Sequence, residues 1–261
     1  MDCAKPYQIG ISTVPSLPPQ KPRLASAEIW PVVCIDKGIV SLREGRKLMF
    51  LVGSFLKEGI EELKEEQIKL APRIIIKDEF YETNVIGGVD QAFFDNKIIS
   101  AAVVCDRKRM EIMEREYVIV EAQLEYVPGL LCFREGPAII EVFKMLKTKP
   151  DVLLVEGHGI AHMRKFGLAS YVGLMLNQPT IGVAKNLLEG RIIDKAIYIN
   201  GEKRGYELKT RKGAKAIYIS PGYRVSLKSS LGIVKSCFRE HRLPEPLYLA
   251  HRYANKIKRT M

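Results

Sequence analysis

The chain has 261 residues, 47% of them hydrophobic and 27% charged, with a formal net charge of +11. A packed core is within reach and global disorder is excluded by that balance. The positive charge favours phosphate-rich partners, because each Lys or Arg that meets a phosphate releases condensed counterions. Five cysteines (Cys3, Cys34, Cys105, Cys132 and Cys237) form no C-x-x-C pair and make neither a disulfide frame nor a zinc clip. No apolar run is long enough for a bilayer and no signal-peptide core is present. The expectation is a cytoplasmic protein without a membrane anchor.

In chain order, residues 1–45 come first. The stretch Val14-Pro15-Ser16-Leu17-Pro18-Pro19-Gln20-Lys21-Pro22 sustains neither a helix nor a central strand. We read 1–45 as a poorly ordered extension, with a small interaction arm as the alternative. Met49 is a candidate alternative start. The main domain spans 46–261. From Arg46, Phe50, Leu51, Phe55, Leu56, Ile60 and Leu63 recur at three- and four-residue steps, which predicts a helix ending before Pro72.

The period then changes. Val85–Asp90, Ile98–Val104 and Tyr117–Val120 are apolar runs separated by polar stretches, the first of them Asp95-Asn96-Lys97. They read as an antiparallel meander. A helix follows over Gly129–Lys147, with Pro137 inside it. Asp151–Glu156 reads as a buried strand, Ala161–Leu176 as a helix and Thr180–Lys185 as a strand. Strand-helix-strand order predicts parallel pairing through a right-handed crossover. Further strands are expected at Ala196–Ile199, Gly205–Thr210 and Ala216–Ile219, and helices at Ser226–Cys237 and Pro246–Lys258. The sum is an α/β protein, a mixed sheet covered by helices on both faces.

Three carboxylates stand out. Asp90 and Glu156 each end an apolar run, and Glu135 lies on the helix between them. A charge beside a buried strand is costly unless it is paired or metal-bound. Acids at the ends of adjacent strands can converge on one point, the arrangement that holds Mg²⁺. Taken singly, each is as well read as a solvated strand end. His158 and His162 are four apart, but no further ligands stand near them, so zinc is not expected.

Several blocks, in order, resemble the endonuclease V family. They include Gly88-Val89-Asp90, Tyr126-Val127-Pro128-Gly129, Phe133-Arg134-Glu135-Gly136-Pro137, Asp151 through Gly159, Ala161-His162, Ile181-Gly182-Val183-Ala184-Lys185, Ser220-Pro221-Gly222 and Leu249-Ala250-His251. The resemblance runs from about residue 50 to the C-terminus.

It implies a ribonuclease H-like fold. It also implies a metal-dependent endonuclease that nicks a strand 3′ to deoxyinosine, at the second phosphodiester bond, in repair of deaminated adenine. Mg²⁺ is the implied cofactor, with Mn²⁺ as an alternative. The implied metal ligands are Asp90, Glu135 and Glu156. Glu156 stands where the family usually has Asp, and its extra methylene moves a ligand oxygen. Lys185 matches the lysine beside the reacting phosphate, and His251 a histidine at the metal site. Asp151 matches a further family acid.

Tyr126 and Pro128 match a wedge that replaces an extruded base, although Glu125 stands where the family commonly has Pro. Gly157 and Gly159 could bring backbone amides to the base, and His162 matches a histidine near its pocket. The partner implied is DNA containing deoxyinosine, with inosine-containing RNA as the alternative, acted on by a monomer. An inosine-specific ribonuclease and a catalytically weakened inosine-binding protein are the competing functions.

Overall fold

The computed structural model describes residues 34–36, 39–41 and 55–261 except Lys212, with side chains from Gly59 onward. Contacts divide the chain into two units, Met1–Phe50 and Leu51–Met261. In the first, β1 (Cys34–Asp36) pairs antiparallel with β2 (Ile39–Ser41). The rest of the expected extension, the alternative start at Met49 and the first part of the expected helix lie outside the described residues.

The second unit opens with α1 (Phe55–Leu70), which ends as expected before Pro72 and passes into a 3₁₀ turn at Ala71–Arg73. The meander follows: β3 (Val85–Phe94), β4 (Lys97–Asp106) and β5 (Ile112–Glu121). These strands outrun their apolar cores because each hairpin keeps pairing through its polar ends. Next come α2 (Leu131–Met145), β6 (Val152–Glu156), α3 (Leu168–Leu176) and β7 (Thr180–Ala184). β8 (Arg191–Ile193), β9 (Ala196–Ile199), β10 (Glu202–Leu208) and β11 (Ile217–Tyr223) extend the sheet, and α4 (Leu227–Ser236) and α5 (Glu245–Lys258) close the chain.

Nine strands form one mixed sheet in the order β5-β4-β3-β6-β7-β11-β10-β9-β8. β3, β6 and β7 are parallel, as the strand-helix-strand reading requires. Alternate residues of the central strands face opposite layers. Val89, Ala102, Val104, Leu153 and Val155 pack with Ile139 and Val142 of α2 and Val172 of α3. Ile86, Val103, Val152, Leu154, Ile181 and Val183 pack with Ile233 and Val234 of α4 and with Leu247 and Ala250 of α5. The expected two-faced α/β sheet is the observed one. Among the described residues no helix is long and apolar enough to cross a membrane.

α3 corrects its expected start. Helix was expected from Ala161, yet α3 begins at Leu168. A Cβ on Gly167 would lie 2.3 Å from the His158 carbonyl, and Lys165 sits at φ 54°. The apolar spacing of Ala161 and Phe166 comes from a buried loop, not from helical turns.

Register shapes the surface that matters most. β3 pairs with β4 along its full length, from Val85 to Phe94. It pairs with β6 only from Ile86 to Val89. β6 ends at Glu156, so the β6-side edge of Asp90–Phe94 is left open. Crevices beyond the carboxyl ends of parallel strands are where open α/β sheets bind ligands.

Candidate active site

The open edge of β3 lines a cleft of about 350 Å³. Asp90, Gln91 and Phe93 form one side, with Glu156 at the end of β6. Leu131, Arg134 and Glu135 enter from α2, and Tyr126 from the connection before it. The three carboxylates expected from the sequence therefore share one cavity.

Asp90 is only 2% exposed and fully wired. Its Oδ1 accepts from the Gln91 amide at 2.8 Å. Its Oδ2 accepts from His251 Nδ1–H of α5 at 2.7 Å and from Lys185 Nζ at 3.3 Å. Lys185 follows β7 directly and also stands 3.8 Å from Glu156 Oε1. Its ammonium is thus shared between two carboxylates on neighbouring strands. Arg242 fixes the Lys185 backbone, donating from Nη2 to the Lys185 carbonyl at 2.8 Å and to that of Ala216 at 2.7 Å. Arg242 was not singled out from the sequence, where it reads as one more surface cation.

Glu135 is the electrostatic outlier. It is 5% exposed. Among the described residues its carboxylate makes no hydrogen bond or ion pair. Burial, then the charges of Glu156 and Asp90, push its pKa up to about 8. Burial and then Asp90 raise that of Glu156 as well. Three carboxylates here face one ammonium, in a place that water solvates poorly. A donor set of hard oxygens with surplus negative charge suits a divalent cation. In this arrangement Lys185 takes up two of the three. Among the described residues no three of His, Cys, Asp and Glu stand close enough together to enclose an ion as they are.

The residues expected to contact the base divide into two kinds. Tyr126 is 67% exposed, and Pro128 is exposed beside it. Of the two, Tyr126 lines the cleft. Gly129 and Leu130, at the base of the same loop, are buried. The two glycines are engaged internally. Gly157 N–H donates to the Val183 carbonyl at 3.3 Å and Gly159 N–H to Ser220 Oγ at 2.9 Å. A Cβ on Gly159 would come within 1.8 Å of the Pro221 carbonyl oxygen, so close backbone packing alone demands glycine there. Ser220-Pro221-Gly222 takes its place in β11 as the partner of that packing.

His162 is buried with both ring nitrogens used: Nε2–H donates to the Gly129 carbonyl at 3.0 Å, and Nδ1 accepts from the Arg164 amide at 3.2 Å. Burial, helped by Arg164, drops its pKa to about 3, so the ring is neutral. His158 is likewise held neutral by burial, at about 4. Asp151 lies at the other end of β6 from Glu156, roughly 16 Å away at the rise of a strand. There it accepts from the Val85 amide at 2.8 Å and fixes the β3–β6 register. Gln91, Phe93, Leu131 and Arg134 line the cleft without having been expected to. Arg134 stacks over Phe93, its guanidinium carbon 5.5 Å from the ring centre, and donates to the Leu124 carbonyl.

Comparison with known proteins fits this layout. The Endonuclease V family model matches residues 68–252. An endonuclease V from Dictyoglomus turgidum is 38% identical over 211 residues, covering 78% of this chain and 92% of the relative. Among solved structures, endonuclease V from Bacillus subtilis superposes with a TM-score of 0.73 at 31% identity, over 77% of this chain and 92% of that one. Endonuclease V from Ciona intestinalis, solved with a 24mer DNA containing an inosine followed by a ribo-adenosine, gives 0.72 at 26% identity, over 78% and 99%. The sheet and its helices are the ribonuclease H-like α/β fold of these structures. The chain belongs to the endonuclease V family and is an endonuclease.

Proposed function

We propose that this endonuclease nicks DNA on the 3′ side of deoxyinosine, at the second phosphodiester bond, with Mg²⁺ as its usual cofactor and Mn²⁺ as a substitute. One observation carries the reading. The open edge of β3 gathers Asp90, Glu135 and Glu156 in one cleft, with Lys185 and His251 both bonded to Asp90. Family membership and the inosine-containing DNA bound by the Ciona relative supply the substrate.

The contacts support a division of labour. Asp90, Glu135 and Glu156 would hold the cation, which supplies Lewis acidity at the phosphate and a more acidic water. Glu156 keeps the necessary carboxylate in spite of its extra methylene. Lys185, freed from part of its bonding to the carboxylates, neutralises charge building on the phosphoryl oxygens. His251 donates Nδ1–H to Asp90, which fixes its tautomer and leaves Nε2 as an acceptor for a proton of the attacking water. Tyr126, raised on Pro128, fills the gap that an extruded base leaves in the stack.

Gly157 and Gly159 let the segment after β6 pack closely on Leu168 and Pro221, and His162 steadies the loop that carries Tyr126. Among the described residues Cys105, Cys132 and Cys237 are buried free thiols, in keeping with a reducing, cytoplasmic setting; the substrate makes repair of deaminated adenine the role. We expect the monomer to be the active form.

The test is to map cleavage on an end-labelled duplex carrying one deoxyinosine, in Mg²⁺, in Mn²⁺ and in EDTA. The expected result is a single metal-dependent cut one nucleotide beyond the inosine's 3′ neighbour bond. Equal cutting of a matched adenine duplex would remove inosine from the account. A second reading has its own support: the nucleic acid in the Ciona structure has a ribonucleotide directly after the inosine. The same mapping on an inosine RNA strand ranks the two substrates. Binding without cutting on every substrate would favour the weakened binding protein.

A further inference from the structure

The loop that carries Tyr126 ends in a polar junction that includes none of the carboxylates. Its centre is the Gly129 carbonyl, which accepts from three side chains. Gln67 Nε2 donates at 3.0 Å, His162 Nε2 at 3.0 Å and Arg164 Nη2 at 2.9 Å. Gly129 itself sits at φ +81°, and a Cβ there would meet Arg164 Nη2 at 3.0 Å. The loop turns at this residue because glycine tolerates the left-handed backbone and leaves room for the guanidinium.

Gln67 is the keystone. It lies on α1, 0% exposed, although its neighbours Glu65, Glu66 and Lys69 make the segment read as a solvated helix face. Its Nε2 also donates to the Phe166 carbonyl at 3.0 Å, and its Oε1 accepts from Arg164 Nε at 2.6 Å. Two carbonyls on one side and a guanidinium on the other determine the amide orientation, because the flipped amide would oppose all three. A buried, fully satisfied side chain of this kind holds one geometry.

Resting on the inosine reading above, we propose that Gln67, with Arg164 and His162, is a positioning residue that sets the Tyr126 loop at the angle needed to open a paired duplex. The tip of that loop is exposed while its root, Gly129 and Leu130, is buried. A ring that displaces a stacked base works against the stacking energy. It can do so only if the root does not yield. Gln67 neither lines the cleft nor bonds any of the carboxylates, but its Nε2 also donates to Cys132 Sγ at 3.1 Å on α2, the helix of Glu135, so the comparison of paired and unpaired strands decides whether its effect passes through the loop.

This separates duplex opening from strand cutting. Wild type, Gln67→Leu and Arg164→Lys are compared in Mg²⁺ on a duplex with one deoxyinosine and on the same strand unpaired. Nicking of the duplex is expected to fall roughly ten- to hundredfold, the scale on which a displacement of about 1 Å costs rate. Nicking of the unpaired strand, where no base need be displaced, is expected to change little. A 2-aminopurine beside the inosine should brighten on binding to wild type in EDTA and much less with either variant. Adding Tyr126→Ala to Gln67→Leu should cost little beyond Tyr126→Ala alone, since both remove the same lever.

Equal loss on duplex and single strand, or no loss on either, overturns the proposal. If Gln67→Leu does not fold, Arg164→Lys, altered at a half-buried side chain, carries the same comparison. A wild-type enzyme that cuts neither the inosine duplex nor the unpaired inosine strand sinks the inosine reading and this proposal with it, whereas intact wild-type cutting with a flat duplex-to-strand ratio in the variants sinks this proposal alone.

Discussion

Two polar clusters flank the Tyr126 loop, one at its root on Gly129 and one in the cleft that Tyr126 lines, and they differ in how well their charges are met. Around Gly129 every buried donor and acceptor of Gln67 and His162 has a partner. Around Asp90 one ammonium serves two of three carboxylates, and Glu135 has neither a hydrogen bond nor an ion pair among the described residues. The first pattern is that of a scaffold. The second, a desolvated excess of one charge in a cleft, is that of a site waiting for substrate and cation. The same contrast separates two histidines. His162 is buried and neutral at every working pH, while His251 is part-exposed and bonded to Asp90.

Substitutions can break or sharpen that contrast, and the largest effect belongs to the unbalanced cluster. Asp90→Asn removes the charge that both Lys185 and His251 address. Nicking should fall by about a thousandfold or more, while binding to the same duplex stays near wild type. Lys185→Met keeps the packing and removes the ammonium. We expect a loss of about a hundredfold in kcat with little change in KM, read from steady-state nicking.

The balanced region should respond in stability first. Gly159→Ala forces a Cβ against the Pro221 carbonyl and should cost about 1–3 kcal/mol in urea unfolding, with a loss of activity that follows unfolding.

The smallest expected effect is a pH dependence. Glu135 has a folded pKa raised to about 8, above its unfolded value. Its protonated form therefore favours the fold, and this contribution is present below about pH 4.3 and lost as pH rises through 8. In EDTA the melting temperature should decline across that window. Glu135→Gln should flatten the decline by a few degrees, and Mg²⁺ should do the same for wild type. The remaining slope would belong to Glu156, raised in the same direction.

Much of the fold was legible because burial imposes a period. β3, β4, β6 and β7 bury nearly every residue, so their apolar runs showed in the sequence. β8 did not show, since all three of its residues are exposed and only pairing with β9 makes it a strand. The acids at strand ends were visible as well, but their convergence was not. It depends on β6 stopping at Glu156 while β3 continues, a matter of register that no single strand reveals. Gln67, Arg164 and Arg242 escaped notice for a related reason. Each sits among charged neighbours and acts through backbone carbonyls far away in the chain. Gly157 and Gly159 were visible as glycines, but the sequence could not show that their amides are occupied within the protein.

The central claim is that the cleft at the open edge of β3 is where the cation, and with it the chemistry, resides. Replacing Mg²⁺ by Fe²⁺ and adding ascorbate and peroxide generates hydroxyl radicals that cut the protein backbone beside the bound ion. The account predicts fragments ending near residues 90, 135 and 156, suppressed by excess Mg²⁺ and absent from Asp90→Asn. Cuts concentrated elsewhere, or an unchanged pattern in Asp90→Asn, would contradict it.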